Sequence, residues 1–221
     1  MYIAEQFLTF MSISAKESIN KLNNEVKNCK KCLDLLKTRK QPVPGTGAPK
    51  ANIMVVCNYP LANGAEERGI PFTGDDQGRF MRKIFDETKL SLVKDTYITY
   101  LVKCTPGRTT KKESSSLVET TEPLKKHINN CILFLTKEIS IITPHIIVSL
   151  GLNVSNIILQ KFFSIEKKYR NMEKIHMRIF ENPSFKLVPF FDPQDVIISG
   201  TITEERYIRD FESLSKFLKI V

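Results

Sequence analysis

Apolar residues fall along this chain in two alternating styles. Short continuous runs rich in β-branched residues occupy 52–57 (Asn-Ile-Met-Val-Val-Cys), 96–102, 145–150 and 186–191. Such runs suit strands covered on both faces, as in a parallel sheet. Helical periodicity fills the intervals at 77–88, 122–142 and 153–163, and a last helix is expected over 204–218. Thr203 is placed to cap that helix, with Glu204 and Glu205 in its first turn, where the helix dipole favours negative charge. A further helix is expected over 14–36, carrying Cys29 and Cys32, before a Pro/Gly segment at 41–49. Strands alternating with helices predict an α/β fold with a parallel sheet between helical layers.

Two stretches break the rhythm. Residues 107–121 are polar and Ser/Thr-rich, which predicts a mobile loop. Residues 166–184 are charged and irregular, with Tyr169, Arg170, His176 and Arg178 available either for a phosphate backbone or for a solvated excursion. The 221 residues fit one domain spanning 1–221 with a full core. The composition, 42% hydrophobic and 26% charged, is that of a soluble globular protein. No apolar run reaches the roughly 18 residues of a membrane span. The N-terminus lacks the features of a signal peptide, so an intracellular location, without membrane contact, is expected. The net charge of +9 admits a polyanionic partner such as nucleic acid, or simply a lysine-rich surface from an AT-rich genome.

The chemistry concentrates in two places. The loop at 57–75, CNYPLANGAEERGIPFTGD, leaves the carboxyl end of the first strand, where open α/β sheets bind ligands. It brings Phe72, Gly74 and Asp75 within four positions, just before a helix. Asp75 can be read as a chemical carboxylate or as a plain N-cap, and Phe72 as a pocket aromatic or as core. The second place is the cysteine set. Cys29-x-x-Cys32, Cys104 just past the second strand and Cys131 in a helix could form an all-thiolate zinc site or an iron–sulfur cluster, or remain unliganded. The odd count of five in an intracellular chain argues against disulfides, and Cys57 reads as an inert core thiol.

Together these motifs resemble the iron–sulfur uracil-DNA glycosylases, nearest their family 5 (type b) branch, over roughly residues 26–219. The CxxC pair is followed by Pro42-Val-Pro-Gly-Thr-Gly47, similar to P-V-P-G-x-G. The 57–75 loop is similar to G-L-A-P-G-A-H-G…G-R-P-F-T-G-D. Val102-Lys-Cys-Thr-Pro106 resembles V-R-C-A-P, Cys131 answers a helical cysteine, and Ile146–Gly151 answers V-x-x-L-G. Phe191-Asp-Pro…Ser199-Gly-Thr-Ile-Thr203 resembles Y-H-P-S…T-G-R-L-T.

The resemblance implies a three-layer α/β/α sandwich around a four-stranded parallel sheet, with a structural [4Fe-4S] cluster on Cys29, Cys32, Cys104 and Cys131. Zinc is the alternative metal. It also implies a monomeric base-flipping DNA glycosylase. Phe72 would stack on the base, and Tyr59, Asn63, Gly74 and Tyr100 would help form the base pocket. Asp75 would act on water or on the cationic sugar, and backbone N–H groups after Cys57 would bind the base's carbonyl oxygen. Asn58 and Asp192 join the catalytic set as departures: Asn58 replaces an apolar residue, and Asp192 stands where the family has a histidine that stabilises charge on uracil O2. Leu61 replaces a glycine, Asn63 a histidine, and Tyr100 stands where family 4 carries an asparagine. An ionised Asp192 should repel that developing charge, and losing such a donor costs about 10²–10³ in rate. Two readings follow: a shifted base preference helped by Asn58, or lost catalysis in a DNA-binding accessory factor with a protein partner in replication or repair.

Overall fold

The computed structural model describes residues 2–91, 94–109, 119–120 and 122–218. In chain order the helices are α1 (Tyr2–Lys27), α2 (Leu33–Leu36), α3 (Ala65–Arg68), α4 (Asp76–Glu87), α5 (Lys125–Ile142), α6 (Leu152–Phe163), α7 (Pro193–Ile197) and α8 (Glu204–Leu218). The strands are β1 (Thr46–Gly47), β2 (Ile53–Cys57), β3 (Thr96–Tyr100), β4 (Arg108–Thr109), β5 (Glu119–Thr120), β6 (Ile146–Leu150), β7 (Phe180–Glu181) and β8 (Lys186–Phe190). A 3₁₀ turn covers Met172–Lys174. No helix among the described residues is long and apolar enough to cross a membrane.

The four expected strands form within a residue or two of their expected bounds and pair in parallel in the order β3-β2-β6-β8. Every residue of β2, β3 and β6 is buried, as the unbroken apolar runs require. The sheet is nevertheless six-stranded: short antiparallel strands β1 and β7 close its two edges. Two-residue strands carry no periodic signal and were invisible in the pattern. Helices cover both faces, giving the α/β/α layering. Leaving β2, the chain adds β3 on one side and later β6 on the other. That reversal places a topological switch point at the carboxyl end of β2.

Two expectations are corrected. The helix expected over 14–36 is two helices: α1 ends at Lys27, and Cys29 lies in the connection, with Cys32 at the N-cap position of α2. The pair therefore sits on a loop that can fold around a centre rather than on a rigid helical face. The helix expected from 122 starts at Lys125, which leaves Glu122 in the loop before it. The stretch 107–121 contains the β4–β5 ladder, and the mobile loop expected there otherwise lies outside the described residues. In the stretch 166–184 Arg170 and Arg178 are exposed, whereas His176, its side chain buried against the rings of Phe190 and Phe191, is hydrogen-bonded to Asp210 at 2.7 Å.

Thr203 caps α8 as expected, accepting from Arg206 N at 3.3 Å. Within the core, Lys103 and Glu138 form an ion pair at 2.7 Å with side chains only 1% and 0% exposed. Thr99 Oγ1 and Tyr97 Oη also donate to the Glu138 carboxylate, at 2.9 and 3.3 Å. The Lys103 ammonium is in turn bonded to Thr99 Oγ1. The pair thus ties α5 to β3 and to the backbone just after it.

Candidate active site

The carboxyl ends of β2, β3, β6 and β8 deliver Cys57-Asn58, Tyr100, Gly151 and Asp192 to one edge of the sheet. Two helices begin there. Asp75 caps α4, its Oδ1 accepting from Gly78 N at 2.6 Å and its Oδ2 from Ala65 N at 3.2 Å. Asp192 caps α7, accepting from Gln194 N at 2.9 Å, with Pro193 in the first turn and Asp195 completing a capping box. Asn and Asp are strong N-caps, so both carboxylates have a local structural reason to be where they are.

Asp75 is held in a close-fitting setting. A Cβ on Gly64 would lie 1.6 Å from its Oδ2, and Gly74, with φ +85°, brings its own backbone against Gly64. Phe72 has φ 55°, a conformation that costs a non-glycine residue about 1–3 kcal/mol. It is pinned by the close backbone of Gly78, by Arg82 donating to its carbonyl, and by ring contact with Phe85 at 6.5 Å. The Tyr100 hydroxyl, fully buried, is hydrogen-bonded to the Phe72 backbone. Burial raises the Asp75 carboxyl above its ordinary value, against the opposing pull of the Gly78 and Ala65 amides and of Arg82 and Arg79. Burial likewise pushes Asp192 up to about 6; the Gln194 amide opposes this, and the charges of Asp195 and Glu122 add to it. Burial pushes the Cys57 thiol well up, and the charges of Asp192 and then Asp75 add to it.

A cavity of about 40 Å³ opens here, lined by Asn58, Tyr59, Leu61, Gln77, Glu122, Asp192 and Gln194. Of the expected site residues it gathers Asn58, Tyr59 and Asp192. Phe72 and Tyr100 are buried in the core cluster, and Asp75 and Gly74 lie outside the lining. Asn63 is exposed on the turn before α3 and is not brought to the cavity. The sequence reading missed Gln77, Glu122 and Gln194. Gln77 Nε2 donates to Asp192 Oδ1 at 3.4 Å, and Asn58 Nδ2 donates to Glu122 Oε2 at 2.8 Å. No motif marks these three, because their role depends on which loops meet at the sheet edge. Just beyond α7, Ile198 is an apolar side chain 76% exposed, one turn from Gln194, whose carbonyl accepts from its backbone N–H.

Cys29 lies in the α1–α2 connection, Cys32 at the N-cap of α2, Cys104 just past the end of β3 and Cys131 on α5. Cys32 and Cys104 share one small buried cluster with Leu35. Burial pushes the Cys104 thiol up to about 12, opposed by Arg39 and reinforced by neighbouring Cys131 and Cys29. Burial also raises Cys131, with Cys32 and Cys29 adding to it. Donors already point at the sulfurs: Arg39 at Cys104 Sγ, 2.8 Å, and Asn130 at Cys32 Sγ, 3.4 Å. Among the described residues no group of three or more Cys, His, Asp or Glu is drawn tightly enough to hold a single ion.

Residues 44–204 match the sequence model of the uracil DNA glycosylase superfamily. The chain is 33% identical over 214 residues to a protein of Sulfurisphaera tokodaii named type-4 uracil-DNA glycosylase, covering 88% of this chain and 90% of that one. A type-4 uracil-DNA glycosylase of Archaeoglobus fulgidus is 26% identical over 206 residues, 90% and 93% of the two chains. A type-5 uracil-DNA glycosylase of Thermus thermophilus is 34% identical over 79 residues, 31% and 36%. This chain belongs to the uracil-DNA glycosylase superfamily.

Proposed function

We propose that the chain is a monofunctional DNA glycosylase that flips uracil, or another deaminated base, out of DNA and hydrolyses its N-glycosidic bond. The observation that carries this is Asp75: a carboxylate pinned at the head of α4, at the switch point of the sheet, behind a strained Phe72. Its raised pKa keeps it a competent base while its hydrogen bonds fix its direction. Asp75 would orient or deprotonate the attacking water and offset positive charge on the sugar. Phe72 would stack on the extruded base, an interaction worth about 1–3 kcal/mol. Tyr59 and the amide of Asn58 would line the base site. Ile198 would fill the gap in the stack that the flipped nucleotide leaves, as apolar wedges do.

The four cysteines suit a [4Fe-4S] cluster, since their thiols act on one another and an all-thiolate donor set is what such clusters take. Such a cluster would serve as a structural cross-link between the 28–32 loop, the end of β3 and α5. Iron analysis and a visible thiolate–iron absorption band test this; a colourless, zinc-loaded protein overturns it.

A second reading rests on the cavity. At about 40 Å³ it has room for roughly one water, and Asp192 replaces a donor with an acceptor. A glycosylase that had lost turnover would keep DNA affinity and act as an accessory factor. Excision assays on single- and double-stranded oligonucleotides carrying uracil or hypoxanthine separate the two. Activity abolished by Asp75→Ala supports catalysis. Inactivity on every base, with DNA binding intact, refutes it.

A further inference from the structure

The hydrogen bonds around Asn58 have a direction that a single residue decides. Asn58 Nδ2 donates to Glu122 Oε2 at 2.8 Å, and Asn58 Oδ1 accepts from Asn153 Nδ2 at 3.2 Å. The Asn58–Asn153 bond alone has no preferred sense, because both amides could rotate by half a turn and still pair. Glu122 breaks this symmetry. An ionised carboxylate only accepts, so the –NH₂ of Asn58 must face Glu122 and its carbonyl must face Asn153.

The two sides differ in what lies beyond them. Glu122 lines the cavity with Asn58; Asn153, near the start of α6, does not. The donor end of Asn58 is therefore turned to the cavity side and the acceptor end away from it. The –NH₂ carries two hydrogens and Glu122 takes one, which leaves the other as a donor. The neighbouring carboxylate, Asp192, is already engaged by Gln194 N and Gln77 Nε2.

We infer that Glu122 is a positioning residue that sets the Asn58 amide to donate to O4 of the flipped base, the position at which uracil carries an oxygen and cytosine an amino group, and so selects uracil over cytosine. This rests on the glycosylase reading of the site and adds a specificity determinant to it. It also supplies a donor to a pocket whose facing position, Asp192, is an acceptor.

The test uses the full-length chain with Glu122→Gln alone and with Asn153→Asp added. A glutamine at 122 can donate or accept, so the amide loses its sense. About half the molecules then present the wrong end, and uracil excision falls only about twofold. Adding an acceptor-only carboxylate at 153 pulls the –NH₂ toward α6 and turns the carbonyl to the cavity. Excision of uracil should then fall a further 10²-fold or so, the usual cost of one lost donor. That loss should appear in kcat more than in KM, with the melting temperature unchanged.

The Asn58 side-chain ¹⁵N–¹H₂ signals give an independent readout. They should move when free uracil is added to the parent protein and stay still in the double variant. Equal excision by Glu122→Gln and the double variant, or Asn58 signals indifferent to both substitutions, overturns the inference and leaves the glycosylase reading standing. A parent protein that neither excises nor binds uracil removes both.

Discussion

Asparagine at position 75 separates the two things a carboxylate there can do. Asp75 caps α4 through Gly78 N at 2.6 Å and holds Ala65 N at 3.2 Å. In Asp75→Ala both bonds go. The cap is worth about 0.5–2 kcal/mol, and the second bond about 0.5–1.5 kcal/mol. Part of this is returned, because a carboxylate whose pKa is raised by burial is itself costly to keep charged. A net loss of about 1–3 kcal/mol lowers the melting temperature by roughly 2–12 °C in a chain of this length. Asparagine keeps the Gly78 cap, but its –NH₂ cannot accept from Ala65 N, so Asp75→Asn should lose only that second bond, about 0.5–1.5 kcal/mol, and melt roughly 1–6 °C below the parent.

What asparagine cannot do is accept a proton or offset a cationic sugar. Excision by Asp75→Asn should fall by about 10²–10⁴-fold while the fold is intact. The assay is single-turnover excision from a uracil-containing oligonucleotide beside a thermal melt of the same preparation. An Asp75→Asn protein that excises within a few-fold of the parent would refute the chemical role and leave Asp75 as a cap alone.

Three other outcomes follow from the structure. Lys103→Met leaves Glu138 buried without its counter-charge and should cost about 3–5 kcal/mol in urea denaturation, only part of it recovered by adding Glu138→Leu, which leaves the Tyr97 and Thr99 hydroxyls without their acceptor; a cost under about 1 kcal/mol contradicts the buried pair. Asp192 titrates at about 6 when folded against an ordinary 3.8, so the unfolded chain releases this proton first. Its contribution to stability is most favourable below about pH 4, declines as pH rises to about 6, and is flat above. Asp192→Asn should remove that part of the slope in melts across this range, and an unchanged slope would exclude Asp192 as its source. Ile198→Gln should leave stability within about 0.5 kcal/mol, as for other exposed positions. It should weaken excision from duplex more than from single-stranded DNA, and equal effects on both would remove the wedge role.

The sequence carried the fold further than it carried the pocket. Strands β2, β3, β6 and β8 were legible because both-face burial demands continuous apolar runs, and α8 because Thr203 and two glutamates mark its start. The edge strands β1 and β7 were not, since two residues show no period. The helix drawn through Cys29 failed for a definable reason: polar helical periodicity fades gradually, and nothing punctuates the chain between Lys27 and Leu33. At the site, Phe72, Gly74 and Asp75 stood out because they cluster in one loop. Gln77, Glu122 and Asn153 could not, because each acts through a partner on a distant segment. Asn63 shows the converse, a loop neighbour in sequence that the turn before α3 leaves in solvent.

The network around Glu138 has a consequence for how this chain can change over generations. Tyr97, Thr99 and Lys103 all serve one carboxylate with no solvent to replace any of them. Replacing Lys103 or Glu138 alone strands a charge, and replacing Tyr97 or Thr99 takes a donor from the buried carboxylate, so drift at these four positions is costly one step at a time and easier through paired changes. Lys103 also abuts Cys104, which places that constraint beside the thiols. The group should therefore persist or turn over as a block among relatives, while surface lysines around it exchange freely.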